Sequence, residues 1–141
     1  MTTFRARLCL AAALLGAVAT GSAVLAQKGG DPSGVWLTET GDSKVRLARC
    51  GAGFCGTIVS TSGKGLDQNN PDPALRTRSV VGVQIVNATR ATADGFEGSL
   101  YNPKDGKTYS GSLKLTGPST IEVAGCVLSV FCKRQTWKRV N

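Results

Sequence analysis

The sequence contains no histidine, and this absence removes several classes of function. It excludes catalytic arrangements that pair a serine or cysteine nucleophile with a histidine base, and it excludes metal sites built on imidazole ligands. None of the 18 glycines leads into the Gly-Lys-Ser/Thr ending of a phosphate-binding loop. Carboxylate, lysine or tyrosine chemistry remains, without a recognisable motif, so we expect a non-enzymatic protein that needs no cofactor.

Long apolar runs are also scarce, and the main one lies at the N-terminus. Arg5 and Arg7 open the chain, residues 8–18 are apolar, and Val24 and Ala26 precede Gln27. These are the three parts of a signal peptide, and the apolar part is short of the roughly 20 residues that span a bilayer. We predict a signal peptide over residues 1–26, cleavage after Ala26, and export to the periplasm or beyond the cell without stable membrane insertion. Residues 27–141 then suit a single domain.

The charge balance is basic, with 17 basic and 9 acidic residues and a net charge of +8, which falls by two once Arg5 and Arg7 are removed. Nucleic-acid binding requires a basic stripe interleaved with aromatic residues, and aromatic residues are only 6% of this chain. The basic residues are spread out, and the densest group is Lys133, Arg134, Lys138 and Arg139. We expect solubility and affinity for anionic surfaces or ligands, and no nucleic-acid partner.

Four of the five cysteines follow the predicted cleavage site: Cys50, Cys55, Cys126 and Cys132. An even number in an exported domain favours two disulfides. Of the three possible pairings we favour Cys50 with Cys55 and Cys126 with Cys132, because each pair brackets a short stretch between two predicted strands. The alternative is a four-thiolate zinc site, but neither spacing has the two-residue gap of a zinc knuckle, and we expect no metal.

Short alternating runs bounded by Gly, Asn, Asp and Pro recur along the chain, and helical periodicity is nearly absent. They predict strands over residues 34–40, 44–50, 54–60, 80–86, 95–101, 107–116, 119–126 and 134–140. Alternation gives each strand one apolar face, such as Val81, Val83 and Ile85, and we expect Gly82 and Gly111 to leave room inside. The predicted fold is all-β: one small antiparallel meander barrel of about eight strands. A two-sheet sandwich is the alternative.

The longest interruption of the strand pattern is residues 61–79, TSGKGLDQNNPDPALRTRS. It carries four side chains that can bind a cation: Asp67, Asn69, Asn70 and Asp72. Such residues beside proline usually form turns and helix caps, and the spacing lacks the glycine and glutamate of a calcium-binding loop. We predict a short helical turn over residues 73–77 capped by Asp72, with the segment as a lid on one barrel end.

Five segments together resemble the secreted bacterial family catalogued as domain of unknown function 2147: GVW at residues 34–36, CGAGFCGTIV, DQNNPDPALRTRSVVGVQIV, YNPKDGKTYSGSLKL and the C-terminal QTWKRV. Members of that family are similar to lipocalin-like and fatty-acid-binding-like barrels, so the resemblance implies that fold and export. The sequence departs from the family pattern at two places: Ser79 stands where a proline is common, and CVLSVFC is a shorter version of the final turn.

The resemblance also implies a role for Trp36, which is similar to the tryptophan that closes one barrel end in lipocalins. There it packs under a basic side chain, which Arg134 or Arg139 would supply here through a cation-π contact. We therefore expect Trp36 and Trp137 to be structural core residues.

Two functions fit these features. The first is a monomeric barrel in the cell envelope that binds a small apolar or anionic ligand; the candidate contacts are Asn70, Asp72, Arg76, Arg78, Tyr101 and Tyr109. The second is a filled barrel that docks on an envelope protein or on peptidoglycan through its basic end and residues 61–79. An enzyme is the disfavoured third alternative: acidic pairs such as Asp67 with Asp72, or Asp105 with Tyr109, would supply its active site, but such pairs occur in any protein of this length.

Overall fold

Eight antiparallel strands hydrogen-bond in chain order and close into a barrel. The structure is a computed structural model that describes residues 16–17, 21 and 30–140. The strands are β1 Gly34–Leu37, β2 Ser43–Cys50, β3 Gly53–Thr61, β4 Gln84–Ala91, β5 Phe96–Asn102, β6 Lys107–Gly117, β7 Thr120–Val127 and β8 Phe131–Arg139. The predicted meander barrel is confirmed, and the sandwich alternative is wrong. Apart from residues 16–17 and 21, the predicted signal peptide over residues 1–26 lies outside the described residues.

The barrel has two different ends. The loops β2–β3, β4–β5 and β6–β7 lie at one end, which we call the closed end, and the loops β1–β2, β3–β4, β5–β6 and β7–β8 lie at the other, which we call the mouth. The closure between β1 and β8 consists of two residue pairs, Trp36 with Arg139 and Leu37 with Lys138. Since β1 ends at Leu37, the mouth half of β8 has no β1 partner.

The closed end is filled by large side chains. Phe54 and Phe96 meet edge to face with ring centroids 4.8 Å apart. Trp36 is fully buried, and its indole N–H donates to the Pro32 carbonyl at 2.9 Å. The Arg139 guanidinium carbon lies 4.3 Å from the centre of the Trp36 ring. Of the two cations expected over Trp36, Arg139 is therefore the one in contact, whereas Arg134 pairs with Glu122 on the outer surface.

One predicted strand is wrong: β4 begins at Gln84, four residues later than expected. Gly82 adopts a φ of +93° and reverses the chain, which interrupts the period-two alternation. Val81 is consequently 45% exposed, so it shares no inner face with Val83. Gly82 lies in this turn and is not an inner-wall position.

The remaining strand boundaries differ from the prediction by a few residues. β1 stops at Leu37 because the Thr38 hydroxyl and backbone amide both take part in the turn that leads into β2. β8 begins at Phe131, three residues earlier than predicted. Phe131 pairs with Val127, and Cys132 pairs with Cys126 in the next register position. The short helical turn is present as a 3₁₀ helix, Pro73–Leu75, whose N-cap is Asp72.

Both disulfides have the favoured pairing. Cys50–Cys55 joins β2 to β3 at the closed end, and Cys126–Cys132 joins β7 to β8 near the mouth. The predicted pairing is confirmed, and the four-thiolate zinc alternative is wrong because all four sulfurs are consumed. Among the residues that the structure describes, no helix has the length and hydropathy needed to cross a bilayer.

Candidate functional site

The mouth leads into a cavity of about 660 Å³ inside the barrel. Its inner part is apolar, formed by Ile58, Val80, Ile85, Val86, Leu100, Val123 and Trp137. Its rim is polar, formed by Thr38, Ser43, Thr61, Gln68, Asn69 and Asn102. The interior is thus filled at the closed end and open toward the mouth.

Two glycines lie on the inner wall here, and one of them borders the space that remains. Gly111 and Gly125 face each other on β6 and β7. A Cβ added at Gly111 would stand 2.3 Å from Leu100 Cγ, so Leu100 already occupies that space. A Cβ added at Gly125 would make only ordinary contacts, the nearest 3.5 Å away at Tyr109 Cβ, and Gly125 itself lines the cavity. Gly111 was expected to leave room, but Gly125 is the glycine that borders the cavity.

The inner face of β8 crosses the whole depth of the cavity. Trp137 lies at the floor and its indole N–H donates to Gln135 Oε1 at 2.9 Å. Lys133 and Phe131 follow at alternate positions toward the mouth and also line the cavity. This strand therefore supplies an apolar floor, an amide and an ammonium group in order. The sequence predicted Trp137 as a core residue but did not predict that Gln135, Lys133 and Phe131 line the cavity, although they lie on the same face of the strand as Trp137.

A strap of polar contacts crosses the mouth. Lys104 Nζ in the β5–β6 loop lies 2.7 Å from Asp42 Oδ2 in the β1–β2 turn. Asn69 in the β3–β4 loop donates through Nδ2 to the Lys104 carbonyl at 2.9 Å. The hydrogen bond from Lys104, aided by the Thr40 and Thr38 hydroxyls and opposed by burial, lowers the pKa of Asp42 to about 2. Three of the four mouth loops are joined in this way, and the open side faces the β7–β8 hairpin.

Asp67 is the buried centre of the β3–β4 loop, with no exposed surface. Its Oδ1 accepts from the Tyr101 hydroxyl at 2.6 Å, and its Oδ2 accepts from Asn70 Nδ2 at 2.8 Å and Arg78 Nε at 2.9 Å. Burial disfavours the charged carboxyl, but these hydrogen bonds outweigh it and hold the pKa of Asp67 below its usual value. Burial, with the Asp67 carboxylate, raises the pKa of Tyr101 to about 12.

The predicted contact residues therefore divide into two groups. Tyr101 and Tyr109 line the cavity. Asn70, Asp72, Arg76 and Arg78 lie off its wall and hold the loop together: Asp72 caps the 3₁₀ helix, and Arg76 Nε donates to the Asn70 carbonyl at 2.9 Å. Asp67 accepts hydrogen bonds from Asn70, Arg78 and Tyr101, and we call this cluster the Asp67 hub. The sequence showed Asp67 only as an acidic residue in an Asx-rich segment and did not indicate that a tyrosine on a strand would contact it.

The predicted acidic pairs do not form a proton-transfer site that titrates near neutral pH. Asp67 is hydrogen-bonded to Tyr101 and not to Asp72. The hydroxyl of Tyr109 donates a hydrogen bond to the Asp105 carboxylate. The hydrogen bond to the Asp105 carboxylate raises the pKa of Tyr109, while the pKa of Asp105 is lowered because its hydrogen bonds outweigh its burial. Among residues 30–140, no three His, Cys, Asp or Glu side chains are grouped to hold a metal ion.

The sequence pattern of a family described as "Uncharacterized protein conserved in bacteria (DUF2147)" matches residues 34–139. The chain belongs to this family. It is also similar to the solved structure of protein HP1028 from the human pathogen Helicobacter pylori, described as belonging to the lipocalin family. The two chains are 25% identical over 79% of this chain and 84% of that chain, with a TM-score of 0.69. No curated protein matches the sequence.

Membership of DUF2147 covers the whole barrel, from the first residue of β1 to the last residue of β8. The similarity to a lipocalin agrees with the meander topology, and Trp36 lies under Arg139 at the closed end, as the resemblance implied. The segment CVLSVFC forms the disulfide-bonded tip of the β7–β8 hairpin.

Proposed function

We propose that this DUF2147 protein is an exported, non-enzymatic carrier that binds one small amphiphilic molecule in its barrel. The observation that carries the proposal is the cavity of about 660 Å³ open at the mouth. Pockets for small ligands are concave, largely apolar and furnished with a few polar groups, and they typically measure about 300 to 1,000 Å³. This cavity has that size and that distribution of groups.

The lining supports one orientation of the ligand. An apolar chain fits between Ile58, Val123 and Trp137 at the floor, where it would be removed from water. A polar or anionic head group then reaches Gln135, Tyr109 and Lys133, which lie nearer the mouth. Lys133 forms no ion pair within residues 30–140, so its ammonium group is available for an anion.

Export and the lack of catalysis rest on separate observations. Two disulfides are typical of proteins that fold in an oxidising compartment, in agreement with the predicted signal peptide. The tyrosine-carboxylate pairs at the mouth hold protonated tyrosines and ionised carboxylates at neutral pH, so neither partner is tuned for proton transfer. The docking alternative assumed a filled interior, whereas the barrel contains a cavity. Residues 61–79, which include Arg76 and Arg78, remain the predicted contact surface of that alternative.

The proposal is tested by comparing ligand binding before and after a larger side chain is introduced on the cavity wall. We expect anilinonaphthalene sulfonate and fatty acids of graded chain length to raise the melting temperature of the wild-type protein. A ligand at 100 times its Kd adds about 2.7 kcal/mol of stability. Gly125→Leu places a side chain in the open volume and should abolish this shift. Ser110→Leu introduces the same side chain on the exposed face of β6, so it serves as the control and should keep the shift.

Lys133→Met then tests the head group. We expect it to weaken the binding of anionic amphiphiles by about tenfold or more and to leave the binding of alkyl trimethylammonium compounds unchanged, because only anions lose a charge-assisted contact. Absence of stabilisation by every amphiphile would refute the carrier proposal, as would equal binding by wild type and Gly125→Leu.

A further inference from the structure

The β7–β8 hairpin exposes an apolar tip at the mouth. Six large hydrophobic residues are exposed among the described residues, and four of them are in this hairpin: Val127 at 49%, Leu128 at 80%, Val130 at 73% and Phe131 at 70%. Single exposed apolar residues are common, but a contiguous exposed group on a protein surface marks an interaction site.

The tip projects from the barrel wall and its shape is constrained. β6 pairs with β7 only as far as Cys126, and β8 has no β1 partner before Lys138, so the tip has strand neighbours on neither side. Cys126 and Cys132 face each other across the hairpin and are bonded, which encloses the five tip residues 127–131.

The backbone of the tip is unusual for its residue types. Leu128 and Ser129 both adopt left-handed φ values, 54° and 59°. Such turns favour glycine or asparagine, because a Cβ is strained there. Leucine at this position therefore costs stability in the folded state, and its side chain contributes nothing to the core. The residue is better explained by a contact outside the molecule.

The charge around the tip is positive. From Val123 to the C-terminus the chain has no acidic residue, and it has four basic ones. Lys107 lies beside Leu128 in a groove on the outer side of the hairpin, and Lys133 lies on the inner side. Neither lysine forms an ion pair within residues 30–140. Arg134 is paired with Glu122 at 2.6 Å. The one acidic residue on the neighbouring β5–β6 turn is Asp105, which accepts a hydrogen bond from the Tyr109 hydroxyl.

We propose that the β7–β8 hairpin docks the protein on a bilayer that contains anionic phospholipid, with Leu128, Val130 and Phe131 inserted among the head groups. Apolar residues flanked by lysines bind such surfaces by burying apolar area and by electrostatic attraction. A projecting tip suits a fluid surface, whereas a protein partner would have to supply a groove around it. Because Phe131 and Lys133 also line the cavity, the docked barrel would face the bilayer with its mouth.

The first experiment measures sedimentation of the wild-type protein with phosphatidylcholine vesicles that contain or lack phosphatidylglycerol. We expect binding to the anionic vesicles alone, weakened by added salt. Leu128→Ser with Phe131→Ser should reduce that binding by about tenfold or more, since two inserted side chains are lost. Val81→Ser removes an exposed valine from the β3–β4 loop, outside the hairpin, and should bind like wild type.

Charge is tested on one strand. Lys107→Glu, at the mouth end of β6, should weaken binding to anionic vesicles, whereas Lys114→Glu, toward the closed end of the same strand, should not. Leu128→Trp adds a reporter at the tip; since Trp36 and Trp137 are buried, quenching by brominated lipid would come from the new indole.

Absence of binding to anionic vesicles, equal losses in the tip and Val81 variants, or an unquenched indole at the tip would each overturn the proposal. It is independent of the ligand in the cavity. Gly125→Leu should lose amphiphile binding and keep vesicle binding, so the failure of either proposal would be recognised separately.

Discussion

Lys104 and Asp42 form an ion pair across the mouth of the barrel, with Nζ 2.7 Å from Oδ2. The β5–β6 loop and the β1–β2 turn that carry them are four strands apart in the closed barrel, on opposite sides of the opening. The pair therefore spans the route between the cavity and solvent, and its strength should influence how fast a ligand enters and leaves.

Asp42→Asn should accelerate both association and dissociation of anilinonaphthalene sulfonate, measured by stopped-flow fluorescence. Exposed ion pairs are worth up to about 1 kcal/mol, so each rate should rise between about twofold and fivefold, with little change in Kd. Asp94→Asn breaks the Lys114–Asp94 pair away from the mouth and is the control. Equal rates in wild type and Asp42→Asn would show that the pair does not control access.

The same pair should persist in acid. Because the pKa of Asp42 is depressed to about 2, its contribution to stability is complete above the unfolded value of 3.8 and is lost as pH falls through about 2. Probe dissociation in the wild-type protein should accordingly stay slow down to about pH 3. Acceleration already at pH 5 would contradict this assignment.

Asp67→Asn should be strongly destabilising, because Arg78 and Tyr101 lose the carboxylate that they share. Removing one partner of a buried pair typically costs about 3 to 5 kcal/mol; Arg78 is 38% exposed, so we expect about 2 to 3 kcal/mol in urea unfolding at pH 7. Because the pKa of Asp67 is lowered on folding, its carboxylate stabilises the folded state only while it is ionised. The difference in unfolding free energy between wild type and Asp67→Asn should therefore become smaller as pH falls below about 4.

Tyr101→Phe isolates one contact of that hub and should cost about 1 to 1.5 kcal/mol. Tyr109→Phe removes the hydroxyl that bonds the exposed Asp105 and should cost less. If the two substitutions destabilised equally, the Asp67 hub would not be the stabilising contact that we describe.

Arg139→Ala should destabilise the closed end by about 2 kcal/mol, since it removes the cation over Trp36 and a hydrogen bond to the Pro118 carbonyl. Arg139→Lys should recover part of the lost stability, because lysine keeps the positive charge but lacks the planar guanidinium group. Arg134→Ala disrupts the exposed pair with Glu122 and should cost less than about 1 kcal/mol. Chemical denaturation of the three variants decides between these outcomes.

Each disulfide should contribute about 2 kcal/mol, because the loops that it closes are short. Replacing Cys126 and Cys132 by alanine should in addition raise hydrogen exchange at the hairpin tip, where strand pairing ends. Replacing Cys50 and Cys55 should leave the tip unchanged. Equal exchange in both variants would contradict the role of Cys126–Cys132 in holding the tip.

The sequence alone indicated the class of fold and the family, and it favoured one of three disulfide pairings. Short alternating runs bounded by turn residues are local signals, and cysteine pairs five and six residues apart leave little choice of partner. The alternation failed where Gly82 reversed the chain, because a single left-handed residue changes which face the following side chains occupy.

Only the tertiary structure decided what lies inside the barrel and what crosses its mouth. Asp67 and Tyr101 are 34 residues apart, and Asp42 and Lys104 lie on opposite loops, so no local pattern relates them. The cavity likewise depends on how side chains from separate strands share one volume: Leu100 fills the space beside Gly111, whereas Gly125 lines the cavity. Packing is a property of the closed barrel, whereas alternation is a property of each strand.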